Sequence, residues 1–419
     1  MAAVTPFRAL RYNPAVAGDL SAVLSPPYDV ITPEQQARLY QASPYNVVRL
    51  ILGTQSSSDT PKDNRYTRAA RDYRAWQEQR VLTQDAEPAL YLVEHRFRSR
   101  GRAQTRIGFF ALLGLMNGVE QGVFRHEATL SGPKEDRTKL LEAVPANLEP
   151  IFCTYPDDGG VVQALLSRQT SRPPAIEALI QDEPVRVWAV QDRSVVDAVV
   201  RHLASHPVMI ADGHHRFEVG LAGRARYGAI MAYFCSMADP ALVVQPIHRI
   251  VEAPGTGNAQ ALSAIARVEP AADLAAVMRW LEASDPAAPG RFGLSDGQRC
   301  FTVAVTPEPL QRWLSTPSVP ASIAALDVSV LHHLVLPHLG VPVTKAGAGA
   351  TGVRYTAQAQ DAVSALAAGQ AGSAWFLRPI LLSRVYEIAA QGVRLPPKST
   401  YFYPKVPSGL AINPFGVLP

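Results

Sequence analysis

Three short clusters hold the side chains best suited to chemistry in this sequence. The first is Asp212-Gly213-His214-His215-Arg216: a carboxylate, a glycine and three groups able to carry positive charge. A glycine between an apolar run and a helical pattern permits a sharp turn, because only glycine takes positive φ without steric cost. A helix starting there presents free N–H groups and a partial positive charge, which suits a phosphate. Asp212 is placed to face a metal ion or a sugar hydroxyl. The same residues also suit a plain corner, with Asp212 capping the helix and the histidines bonded to carbonyls. The second cluster is His126-Glu127, followed by Lys134 and Arg137. It lacks the second histidine of the zinc-protease pattern, so Glu127 reads as a general base near a phosphate site or as a surface ion-pair partner. The third is Lys398-Ser399-Thr400, within Pro396-Pro397 and Pro404, a segment rich in donors for a carboxylate or phosphate. A structural strap is the bland alternative.

The elements that must position these clusters follow from periodicity. Val208 to Ala211 reads as a short buried strand, and Phe217, Leu221 and Ala222 recur at helical spacing after the glycine. Thr32-Pro33-Glu34 predicts a helix start, with Thr as cap and Pro in the first turn. Tyr66–Gln79 predicts an amphipathic helix with Ala69, Ala70, Tyr73 and Trp76 on one face. Val47 to Leu52 reads as a strand. The stretches 88–97 and 106–112 read as a hairpin whose arginines at 96, 98, 100 and 102 would share one face and form a solvated tip. Asp327 is expected to cap a helix carrying His332 and His333. Those two, with His338, suit a metal poorly, since adjacent helical residues diverge by about 100°. Tyr28 and Asp29, beside Pro26-Pro27, and His248-Arg249, at a strand end, are second-rank site candidates together with Lys134 and Arg137.

The motifs Ile210–Arg216, Arg125–Leu130 and Pro397–Pro404 together resemble the ParB/sulfiredoxin-like superfamily. The resemblance is nearest to its free-serine kinases and to a bacterial family with a DGHHR signature. With the bacterial family it runs over nearly the whole chain from Pro26-Pro27-Tyr28-Asp29-Val30; with the kinases it is confined to the three motifs and their order. It implies a mixed α/β fold in three parts: an N-terminal α/β extension over 1–115, a nucleotide-binding core over 116–254 and a C-terminal α/β domain over 255–419. It further implies a kinase that moves a phosphoryl group from ATP or ADP to the hydroxyl of a free amino acid in a cleft between two domains. In that mechanism Gly213, His214, His215 and Arg216 bind phosphates and Asp212 holds Mg²⁺. His126 and Glu127 are catalytic, with Glu127 the base, and Lys398, Ser399 and Thr400 orient the acceptor. Tyr401 stands where the kinases have Arg.

Composition sets the frame. The 419 residues are 47% hydrophobic and 18% charged, with net charge +4, the profile of an ordinary globular protein. That charge is too weak to argue for nucleic acid, and neither a helix-turn-helix with a basic face nor a basic tail is evident, which disfavours a ParB-like DNA-associated switch. Cys153, Cys235 and Cys300 lie far apart and read as buried reduced thiols. With no apolar run of about 18 residues, the expectation is a cytoplasmic protein. A metal-dependent hydrolase built on His126, Glu127, His214 and His215 is the remaining alternative.

Overall fold

A computed structural model describes residues 2–99, 101–116, 118–129, 131–341 and 352–415. It is a mixed α/β protein of two compact units. The first comprises Met1–Phe124, Thr129–Val243 and Pro404–Pro419; the second comprises Arg125–Ala128 and Val244–Tyr403. No helix of the described residues is long and apolar enough to cross a membrane.

The first unit is built on one nine-stranded sheet. Its strands are β1 (Val4–Thr5), β2 (Leu90–Ser99), β3 (Arg102–Gly114), β4 (Val123–Arg125), β5 (Ile151–Tyr155), β6 (Ile176–Ile180), β7 (Glu183–Val190), β8 (Val208–Asp212) and β9 (Ala229–Ser236). They lie in the order β4-β8-β5-β9-β3-β2-β7-β6, with β1 paired to β3. β9 runs parallel to β5 and antiparallel to β3. One face carries Phe109, Ile151, Cys153, Ile210 and Phe234, in a core shared with Val162 and Leu166 of the Val161–Ser167 helix, Val199 and Leu203 of the Arg193–Ser205 helix, and Phe217. Each fully buried Val, Leu or Phe contributes about 1.5–3 kcal/mol. Alternation sends Arg106, Phe110, Phe152, Thr154 and Tyr233 to the opposite face.

The second unit contains a six-stranded antiparallel sheet: β10 (His248–Val251), β11 (Ala266–Ala271), β12 (Arg291–Ser295), β13 (Cys300–Val305), β14 (Val353–Thr356) and β15 (Ser373–Phe376). Its order is β11-β13-β12-β15-β10-β14. Trp375 enters a core with Phe292 and Leu294, while its neighbours Ala374 and Phe376 face Val277, Leu281 and Leu366 on the other side.

Several expectations change. The boundaries at 115 and 254 do not match the two units: residues 108–114 of the expected extension pair along their length with residues 229–235 of the expected core. Val48–Ile51 is helical, not a strand; four apolar residues in a row do not distinguish the two. Thr32 does cap its helix, in a full capping box with Gln35. The hairpin arginines divide between faces, because the Gly101 turn (φ 74°) sets Arg102 opposite Ser99 and so reverses parity relative to Arg96 and Arg98; Arg100 lies outside the described residues. Cys153 and Cys235 are buried and unpaired, whereas Cys300 is half-buried.

Asp327 does not cap its helix. Its carboxylate accepts from the Gly290 and Arg291 N–H groups at 2.9 and 3.3 Å and pairs with Arg378 at 2.7 Å. Both charges are almost buried. Removing one partner strands the other away from water, so Asp327→Ala should cost about 3–5 kcal/mol, read as a lower midpoint in urea unfolding.

Candidate functional site

The corner at residue 212 forms as the sequence suggests. β8 ends at Asp212, Gly213 takes φ 88°, and the helix His214–Ala222 begins at once, with no side chain capping it. A Cβ on Gly213 would lie 3.0 Å from Arg216 Nε, so the guanidinium folds back beneath the turn. Arg216 Nη2 donates to Asp212 Oδ2 at 2.7 Å, and its Nη1 donates to the Pro150 carbonyl. Lys405 Nζ pairs with the other oxygen, Asp212 Oδ1.

Burial alone would raise the Asp212 carboxyl, but Lys405, Arg216 and the Lys405 hydrogen bond outweigh it and hold the group at about 2. Arg216 is shifted the other way: burial pulls it down, and Glu149 and Asp212 more than compensate.

Glu149 extends the network. It accepts from Tyr28 N–H at 3.0 Å, Ser408 Oγ at 3.1 Å and Arg137 Nη1 at 3.4 Å. Burial raises its carboxyl, offset in part by Arg216 and Arg137. The Arg137 guanidinium lies 3.9 Å from the Tyr28 ring centre. Burial pushes the Tyr28 phenol up to about 12, against the pull of Arg216 and Arg137. Tyr28 and Arg137 are thus gathered around the Arg216 neighbourhood within one unit, and Asp29 is exposed beside them. Glu149 and Lys405 were missed from sequence. Lys405 stands in the same donor-rich segment as Lys398, and Glu149 has no motif around it. Lys134 sits elsewhere, 3.2 Å from Glu218, which also accepts from Thr129 Oγ1 at 2.7 Å.

The other two clusters meet inside the second unit. His126 Nε2 and Thr400 Oγ1 are 2.9 Å apart, and the His126 carbonyl accepts from Leu395 N–H at 2.8 Å. The Glu127 carboxylate accepts from Lys398 N–H at 3.4 Å. Lys398 holds that N–H in place with φ 55°, a left-handed conformation rare for a side-chain-bearing residue. Ser399 Oγ donates to the Pro396 carbonyl, closing the turn. The ion pairs that a surface role for Glu127 would use, with Lys134 or Arg137, go to Glu218 and to Asp136 and Glu149 instead.

His248 and Arg249 join neither cluster. His248 Nδ1 accepts from Leu377 N–H at 3.2 Å, and burial lowers the imidazole to about 4. Arg249 Nε donates to His332 Nε2 at 3.0 Å. Asp212 does not fit a magnesium ligand, since each of its oxygens faces a cation. Among the described residues no group of three or more His, Cys, Asp or Glu could hold a metal.

A family model described as "protein of unknown function (DUF1015)" matches residues 4–329. The chain belongs to this family. No curated protein matches it. Among solved structures, it is similar to a conserved hypothetical protein from Pyrococcus furiosus, at 13% identity and TM-score 0.35 over 73% of this chain and 95% of that one. It is similar to a free serine kinase in complex with AMP, at 12% identity and TM-score 0.34 over 70% and 86%. It is also similar to SbnI from Staphylococcus aureus, at 11% identity and TM-score 0.36 over 73% and 87%.

The Asp212 pairing has a pH signature. Its folded carboxyl, at about 2, lies below the unfolded value of 3.8, so the pairing stabilises fully above pH ~4 and is lost as pH falls through about 2. The contribution is on the order of 2 kcal/mol. The stability difference between wild type and Asp212→Asn, measured by urea unfolding, should be constant above pH ~4.5 and shrink toward pH ~2. A flat difference refutes the pairing.

Proposed function

We propose that this family member is a nucleotide-dependent phosphotransferase, with a ParB/sulfiredoxin-like core carrying the DGHHR motif. The observation that carries the reading is the helix start at Gly213, without a side-chain cap and flanked by the half-buried Arg216 and Lys405. A helix N-terminus with adjacent cations suits a polyphosphate. His214 and His215 add donors in the first turn of the same helix. ATP or ADP is the donor; the acceptor is the hydroxyl of a small amino acid, oriented by Lys398, Ser399 and Thr400.

In the transfer, the acceptor oxygen forms a bond to the terminal phosphorus and the bond to the nucleotide's bridging oxygen breaks. Glu127 takes the hydroxyl proton. His126 and the Lys398 N–H act on positioning: His126 ties its segment to Thr400, and Lys398 N–H fixes the Glu127 carboxylate. Lys405, Arg216 and the helix N–H groups balance charge on the phosphates. Magnesium is given no protein ligand in this scheme. The metallohydrolase alternative has no support in the geometry, because no set of three ligands forms among the described residues.

A melting-shift screen of ATP, ADP and GTP with Mg²⁺, each crossed with serine, homoserine and threonine, tests the reading. One nucleotide should raise Tm at millimolar concentration through mass action, and Lys405→Met should remove the rise. Absence of any nucleotide shift sinks the proposal. Glu127→Gln should lower turnover by about 10²–10⁴ with nucleotide affinity nearly intact; unchanged turnover in a phosphate-transfer assay removes Glu127 from the mechanism.

A further inference from the structure

The face of the first sheet opposite its main core carries polar atoms that the fold itself does not use. Arg106 is 1% exposed; its Nη1 donates to the Pro404 carbonyl at 2.8 Å, while its Nε has no partner. Tyr233 and Thr154 are equally buried; Thr154 Oγ1 has no partner, and Tyr233 Oη meets only the Arg106 guanidinium. Register puts the three on one face of adjacent strands: Tyr233 lies beside Phe110 and Phe152, two residues along from Gly108 and Thr154, and Arg106 is two further along β3. The guanidinium carbon sits 5.1 Å from the Phe152 ring centre and 5.4 Å from that of Tyr233. Gly108 makes room for this arrangement, since a Cβ there would fall 2.3 Å from Tyr233 Oη.

Burying a guanidinium without a counter-charge is costly, and each buried polar atom left without a partner adds to the cost. The nearby carboxylate of Asp239 makes no ion pair with Arg106. Its Oδ2 accepts from Ile107 N–H and Gln163 Nε2, both at 3.0 Å, and its Oδ1 accepts from Ala241 N–H at 2.8 Å. His95, paired across the ladder with Arg106, is held below its ordinary value by burial and so adds no second cation. A buried guanidinium without an ion-pair partner, with two hydroxyls between aromatic rings, matches a carboxylate. A phosphate dianion would call for further cations.

The position is informative too. Pro404, whose carbonyl takes the Arg106 hydrogen bond, is followed by Lys405, whose ammonium pairs with Asp212. Phe152, beneath the guanidinium, is the ladder partner of Asp212. In the sheet, Arg106 on β3 is separated from β8 and its Asp212 corner by β9 and β5.

We propose that Arg106, Tyr233 and Thr154 form a site for the carboxylate of a small organic acid; this does not rest on the phosphotransferase reading. The experiment is a melting-shift and calorimetric titration of the full chain with L-serine, 3-hydroxypropionate and ethanolamine, the last having no carboxylate. The two acids should bind and ethanolamine should not. Thr154→Val removes only an unpartnered hydroxyl, so that variant should melt no lower than wild type, and both it and Tyr233→Phe should bind the acids about five- to tenfold more weakly. Arg106→Met should lose acid binding altogether. The site is refuted if neither acid binds, if ethanolamine binds equally, or if the two hydroxyl variants bind as wild type does. A nucleotide shift without acid binding overturns the carboxylate site and leaves the phosphotransferase reading standing.

Discussion

One carboxylate held between two cations organises the candidate site. Asp212 has Arg216 on one oxygen and Lys405 on the other. Neither charge would be tolerable in this half-buried place without the others. The arrangement ties the end of β8, the first helical turn after it and the returning Pro404–Lys405 segment to a single point.

In the second unit the corresponding constraint is conformational. Lys398 adopts a left-handed backbone at a cost on the order of 1–2 kcal/mol, and its N–H meets Glu127. Such strain persists only where the surroundings fix it. The His126–Thr400 hydrogen bond and the Ser399–Pro396 turn do that fixing. Segments 271 residues apart in sequence thereby become one small rigid clasp around a carboxylate.

Much of this was legible in the residues because local rules and tertiary structure agree there. The apolar run before Asp212, the glycine after it and the 3–4 spacing from Phe217 all point to the same corner. Thr32-Pro33 announces its helix for the same reason. The failures came where a residue's role is decided by a distant partner. Asp327 stands at a helix start yet serves Arg378 and the Gly290 turn. Glu149, between Leu148 and Pro150, carries no motif, and only the fold sets it among Arg137, Ser408 and Tyr28. Arg106 follows a run of hairpin arginines, and nothing local marks it as the buried one. The split of faces at Gly101 was hidden because alternation along one strand does not carry through a turn.

The order in which the first unit acquires its parts has a consequence for how the protein is made. Asp212 and Lys405 are separated by 193 positions, and nearly all of the second unit lies between them. At a ribosomal rate of about 5–20 residues per second, that interval is on the order of 10–40 s. From the synthesis of β9 onward, the emerging first unit has the strands of its sheet and Arg216 but not the lysine that completes the corner. A nascent chain at that stage has an aspartate with only one of its two counter-charges, and the lysine arrives only after the intervening unit has been synthesised.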